Sequence, residues 1–181
     1  SGMGSSLNNI GIIYYNKGDY GKALDYYNRS LDISEELGNK DGISYSLNGI
    51  GRIYKNKGDY DKAREYYTRS FEIKEELGNK RGIAYSLNNI GLIYWYKGDY
   101  DMALDYYNRS LAISEELGAK GGISYSLNNI GLIYRDKGDY DGALDYHTRS
   151  LKIQEELGNK RGIAYSLTDI GIFYENKGDY D

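Results

Sequence analysis

The stretch Ser86–Leu117, SLNNIGLIYWYKGDYDMALDYYNRSLAISEEL, decides how the rest of the chain is read, because variants of it recur with unchanged spacing. The tetrapeptide Lys-Gly-Asp-Tyr ends at Tyr20, Tyr60, Tyr100, Tyr140 and Tyr180, a period of 40 residues. Glu-Glu-Leu-Gly ends at Gly38, Gly78, Gly118 and Gly158 with the same period. A fixed period between about 20 and 50 residues marks a stacked repeat array. The 181 residues therefore divide into units at approximately 5–40, 41–80, 81–120 and 121–160, with a partial unit at 161–181, all in one array. Ser1, Gly2, Met3 and Gly4 stand where later units read Gly-Ile-Ser or Gly-Ile-Ala, and are expected to be a cloning remnant ahead of a shortened first helix.

Within the third unit, Ile83, Leu87, Ile90, Ile93 and Tyr94 fall on one face of a helix, roughly residues 82–97. Gly98 ends it, and Asp99 is placed to cap the next helix by accepting free backbone N–H groups. That second helix carries Tyr100, Ala103, Leu104, Tyr107, Leu111, Ile113 and Leu117, and Gly118 supplies a left-handed stop. Glu115 and Glu116 lie at the unfavourable end of the helix dipole and are read as solvated. No segment alternates apolar and polar residues for long enough to be a strand. Two such helices cannot bury both apolar faces alone, so each pair must stack on the next, which makes the fold an all-α solenoid. Gly11, Gly51, Gly91, Gly131 and Gly171 sit mid-helix, where glycine costs about 1 kcal/mol. They are expected to admit a neighbouring helix at Ala23, Ala63, Ala103 and Ala143.

Composition narrows the function classes. A hydrophobic fraction of 40% is enough for a packed core, and the net charge of -4, with signs interspersed, argues against nonspecific nucleic-acid binding and against an anionic membrane surface. No apolar run reaches the length of a membrane span and no secretory signal opens the chain, which points to a cytoplasmic protein. Without cysteine there is neither a disulfide frame nor a thiolate metal site. Without proline the helices can run their full length between glycines.

The pattern resembles the tetratricopeptide repeat: Leu87, Ile90-Gly91, Tyr94, Gly98-Asp99-Tyr100, Ala103, Tyr107 and Ser110 occupy the family's signature positions, copy after copy. The common repeat has about 34 residues; here both helices are longer, and Glu35, Glu75, Glu115 and Glu155 replace the usual proline. The longer form is similar to that of Pins-type adaptors and many prokaryotic regulators. The resemblance implies tandem helix-turn-helix repeats in a right-handed superhelix, whose first helices line a concave groove that binds a peptide or a partner's helix, without catalysis and without a cofactor.

On that reading Tyr85, Asn88, Leu92, Trp95 and Tyr96 look into the groove in the third unit. Asn8, Asn48, Asn88 and Asn128, with Thr168 in the fifth copy, form a row. An amide both donates and accepts, so the row either pairs with the backbone of an extended peptide or bonds adjacent helices together. A second row, Asn9, Asn89 and Asn129, interrupted by Gly49 and Asp169, is read as structural. Variation between units gathers at groove sites: Ile12, Tyr15 and Asn16; Arg52, Lys55 and Asn56; Leu92, Trp95 and Tyr96; Leu132, Arg135 and Asp136; Ile172, Glu175 and Asn176. These differences suggest a basic pocket at Arg52 and Lys55 and an aromatic one at Trp95 and Tyr96, suited to an acidic-then-apolar peptide. Arg52, Lys55 and Arg135 do not have the spacing of the family's clamp for a C-terminal carboxylate.

Other motifs carry less. His147, the single histidine, stands where other units have Tyr27, Tyr67 and Tyr107 and is read as a packing substitution. Asp139-Tyr140-Asp141-Gly142 lacks the remaining carboxylates of a calcium loop. No nucleophile–base set, phosphate-cradling loop or metal-ligand pair occurs. The expected function is a protein- or peptide-binding module. The other class is a structural array that self-associates head to tail through uncapped ends.

Overall fold

The computed structural model describes residues 2–177, and among these every regular element is a helix. The helices are α1 (Gly2–Asn16), α2 (Tyr20–Glu36), α3 (Lys40–Asn56), α4 (Tyr60–Glu76), α5 (Lys80–Tyr96), α6 (Tyr100–Glu116), α7 (Lys120–Asp136), α8 (Tyr140–Glu156) and α9 (Lys160–Lys177). The fifth copy of the turn motif and the side chains of Glu175 and Asn176 lie outside the described residues.

Local chemistry sets the boundaries. Asp99 accepts the Met102 N–H at 3.2 Å, and Asp19, Asp59 and Asp139 repeat that cap on α2, α4 and α8. Asn39, Asn79 and Asn159 cap the first helices in the same way, through the N–H groups of Gly42, Gly82 and Gly162. Gly98 at φ 77° and Gly118 at φ 59° make the left-handed turns that end α5 and α6. The first helix begins at Gly2 and takes in Met3 and Gly4, and the Gly4 carbonyl accepts from Ser30 Oγ at 2.9 Å. Ser70, Ser110 and Ser150 make the same bond to Ser44, Ala84 and Ser124.

Each helix packs on its chain neighbours, and the core is divided into repeating cells. One cell joins Ala23, Tyr27 and Leu31 of α2 to Leu47, Ile50 and Ile53 of the next unit's α3; another joins Ala103 and Tyr107 to Ile130 and Ile133. Every cell is thus closed by the following unit, which is why a lone helix pair would leave its apolar face wet. Gly11, Gly51, Gly91 and Gly131 meet a ring rather than an alanine, whereas a Cβ on Gly171 would meet nothing within 4 Å. A Cβ on Gly91 would lie 2.8 Å from Tyr107 Cε1, and one on Gly51 would lie 2.8 Å from Tyr67 Cε1. The abundance of tyrosine follows from this and from a second use. Tyr14–Tyr26, Tyr54–Tyr66, Tyr94–Tyr106 and Tyr134–Tyr146 stack with centroids 5.2–5.5 Å apart, each pair contributing roughly 0.5–1.5 kcal/mol beyond area burial.

Glu116 is not merely solvated: it pairs with Lys80, as Glu76 pairs with Lys40 at 2.7 Å and Glu156 with Lys120 at 2.9 Å. These pairs join the start of one helix to the end of the next, and at such exposure each is worth no more than about 1 kcal/mol. Across neighbouring units α1 meets α3 and α5 meets α7, with no comparable contact between even-numbered helices among the described residues. The odd-numbered helices therefore share one side of the array, with α1–α3 and α5–α7 the pairs in contact.

Candidate functional site

Three cavities run along that side. The first, about 360 Å³, is lined by residues of α1 and α3 that include Asn8 and Tyr45, and by the cap residue Asn39. The second, about 450 Å³, lies between α3 and α5 and is lined by Tyr45, Asn48, Gly49, Arg52, Arg81 and Tyr85 among others. The third, about 730 Å³, lies between α5 and α7 and includes Tyr85, Asn88, Leu117, Ala119, Tyr125 and Leu157. Tyr45 belongs to the first and second, Tyr85 to the second and third. Adjacent cavities therefore share a wall.

Three tyrosines lining these cavities stand open, with Tyr45 50%, Tyr85 53% and Tyr125 44% exposed. Burial nonetheless pushes the Tyr125 phenol up, with Asn129 beside it opposing. A concave surface reconciles the two, since it leaves a ring open to solvent while surrounding its hydroxyl with protein. Tyr67 and Tyr107, almost wholly buried beneath this surface, are also held far above the usual phenol range by burial.

The sequence-predicted residues separate into two groups. Asn8, Asn48, Arg52, Tyr85 and Asn88 line the cavities. Lys55, Leu92, Trp95, Tyr96, Asn128 and Arg135 line none of the three. The amide row, which spans both groups, is engaged inside the array. Asn88, 3% exposed, donates from Nδ2 to Ser110 Oγ at 2.6 Å and to Ser126 Oγ at 3.1 Å, tying α5 to α6 and α7. Asn8 accepts from Ser46 at 3.0 Å, Asn48 donates to Ser70 at 2.7 Å, and Asn128 Oδ1 lies 3.1 Å from His147 Nδ1. An open peptide ladder along all four amides does not fit these bonds; of the two readings of the row, the geometry takes the bond between helices. Asn48 Oδ1 is the exception, buried without a hydrogen-bond partner at the edge of the second cavity.

At Trp95 and Tyr96, where an aromatic pocket is expected, both rings have partners within the array, although Tyr96 stays 46% exposed. Trp95 Nε1 donates to Asp136 at 2.7 Å in the next unit, and Tyr96 stacks on Tyr60 at 5.2 Å. Arg135 is neutralised by Asp136 at 2.9 Å and Asp169 at 3.9 Å. The basic site is different. The Arg52 guanidinium lies over the Tyr15 ring at 3.8 Å, with Nη2 reaching the Tyr27 hydroxyl at 3.4 Å and Nε unpartnered. Burial, reinforced by the Arg52 charge, lowers the pKa of Lys55. Among the described residues no carboxylate pairs with either cation, so positive potential is left there.

His147 packs as a ring in the tyrosine slot, 2% exposed, against Gly131. Asp169 replaces the amide of the second row there and approaches His147 Nδ1 at 3.7 Å. In that same row Gly49 lies against the Tyr27 ring, and Asn89 and Asn129 are buried, whereas Asn9 is exposed. Among the described residues no group of three or more histidines and carboxylates could hold a metal ion, and no helix is long and apolar enough to cross a membrane. Sequence reasoning missed Tyr45 and Tyr125. Their signal was constancy, a tyrosine at the same place in every full unit from the second on, where attention to variation does not look.

The family model for the tetratricopeptide repeat matches residues 2–76, 43–116 and 122–181. The chain belongs to the tetratricopeptide repeat family. Tetratricopeptide repeats typically serve protein interaction and are generally non-catalytic scaffolds. No curated protein matches the chain by sequence. Among solved structures, BtubC (BKLC) from P. vanneervenii superposes with a TM-score of 0.83 at 24% identity, over 97% of this chain and 73% of that one. The putative kinesin light chain repeats of Podosopora anserina give 0.75 at 15% identity, over 97% and 87%. A Rap protein complexed with competence and sporulation factor gives 0.82 at 19% identity, over 93% of this chain but 50% of that one. At these identities the likeness is one of tetratricopeptide architecture.

Proposed function

We propose that this array is a non-catalytic interaction module that holds an extended segment of a partner protein along its inner groove. The observation that carries the reading is the continuity of the three cavities, walled by Tyr45 and Tyr85. Exposed tyrosines provide large contact area at low conformational cost together with a hydroxyl for the partner's backbone. Arg52, Tyr85 and Asn48 form the contact surface, and the uncompensated charge of Arg52 and Lys55 favours an acidic residue in the ligand. The Rap protein in complex with competence and sporulation factor supports the reading, because a related architecture there holds a partner.

The test starts from random peptides displayed on phage and selected on the full chain. A synthetic representative is then titrated by fluorescence polarisation. Tyr45→Ala and Tyr85→Ala should each weaken it by about tenfold, the loss of an aromatic contact. Binding that ignores both substitutions would place the contact elsewhere and end the proposal.

A further inference from the structure

The second and third cavities are the same place in successive units, yet they are not alike. Lys74, Asn79 and Arg81 border the second; at 40-residue spacing their counterparts in the third are Ser114, Ala119 and Gly121. The volume rises from about 450 to about 730 Å³. What remains around the third is Tyr85, Tyr125, Ala84, Leu117 and Leu157, with Leu117 41% and Leu157 46% exposed.

Folding does not ask for these replacements. Ala119 has φ −81° and ψ 78°, against φ −81° and ψ 80° at Asn79, so the backbone is unchanged while the side-chain cap is absent. Gly121 is helical with ordinary φ, and a Cβ there would meet nothing within 4 Å. Neither packing nor backbone geometry requires the glycine. Both changes lower helix stability, both open the same cavity, and a local rule broken without structural compensation is the mark of a functional position.

Arg81 stands at the shared rim, lining both cavities. Lys74 is held by Asp41 at 2.7 Å and Lys120 by Glu156 at 2.9 Å, whereas Arg81 has no hydrogen-bond or ion-pair partner among the described residues. Its charge is available to a ligand. We infer that the cavity between α5 and α7 is a specificity pocket for a bulky apolar side chain of the partner segment, and that Arg81 selects ligands with a carboxylate beside that side chain. The inference rests on the groove reading above and names the ligand chemistry for one part of it.

Two variants test it. Ala119→Asn/Gly121→Gln refills the pocket with a cap already used at Asn79 and a good helix former, so the fold should be retained. Arg81→Gln removes only the charge. Selection of phage-displayed random peptides on the full chain should converge on Phe, Trp or Leu next to Asp or Glu. A synthetic representative should bind the refilled variant about tenfold or more weakly. Arg81→Gln should weaken that peptide, and should not weaken the same peptide with Asn or Gln in place of its acid. Enriched peptides lacking the apolar–acidic pairing, or binding unchanged in the refilled variant, would overturn the pocket; if Tyr45→Ala still weakened those peptides, the groove reading would stand. A selection that enriched nothing, or peptides indifferent to Tyr45→Ala and Tyr85→Ala, would overturn the groove and the pocket together.

Discussion

Exchanging the caps at positions 79 and 119 tests the account of the helix ends most directly. In the structure Asn79 Oδ1 accepts the Gly82 N–H at 2.9 Å, whereas Ala119 leaves the corresponding donor of α7 without a side-chain acceptor. The two backbones differ by 2° in ψ, at 80° and 78°, with φ the same. No rearrangement therefore stands between the alanine and a capped state. Asn79→Ala should cost about 1 kcal/mol, within the roughly 0.5–2 kcal/mol span of such caps, and Ala119→Asn should gain a similar amount. The two variants then differ by about 2 kcal/mol, which for a chain of this size corresponds to roughly 4–8 °C in Tm. Urea unfolding followed by far-UV circular dichroism gives the midpoints. Hydrogen exchange at Gly122 reads the new bond locally and should slow only in Ala119→Asn. An Ala119→Asn midpoint at or below wild type, with Asn79→Ala destabilised as expected, would mean that some other acceptor already serves α7, and the cap argument would fail.

Gly91→Leu should destabilise the array by about 1–3 kcal/mol or more, because even its Cβ would sit 2.8 Å from the Tyr107 ring; a wild-type urea midpoint would refute the contact. His147 gives a pH dependence. Burial holds its pKa below the ordinary histidine value, Asp169 opposing and Arg135 reinforcing, while burial holds Asp169 above the usual carboxylate range, with His147 and Arg135 opposing. The unfolded chain therefore takes up the His147 proton at higher pH than the folded one, and this group's contribution is full above about pH 6.5 and lost as pH falls below it. Asp169 contributes in the opposite sense through its own raised range, so the clean measure is the midpoint difference between His147→Tyr and wild type, which should grow in favour of the tyrosine between pH 8 and pH 5.5; a constant difference would refute the assignment. Arg52→Glu should weaken acidic groove ligands in a salt-dependent way, seen in fluorescence polarisation at two ionic strengths, and unchanged binding would show that the positive region is not part of the site.

The repeat period, the helices, the aspartate caps and the glycine stops were all legible in the chain, because each depends on residues within a turn or two of one another. The pairing of every cell's core with the following unit was also implied, since one amphipathic pair cannot cover itself. What a polar side chain does on the inner helices was not legible. Asn88 could face a ligand or a neighbour, and the choice falls to Ser110 and Ser126, 22 and 38 residues away. Trp95 likewise finds Asp136 at a separation of 41 residues, while Tyr45, Tyr85 and Tyr125 stand open between units. Short-range geometry fixes a helix from its own sequence, but the partner of a hydrogen bond, and the space left between side chains, exist only once distant units have been stacked.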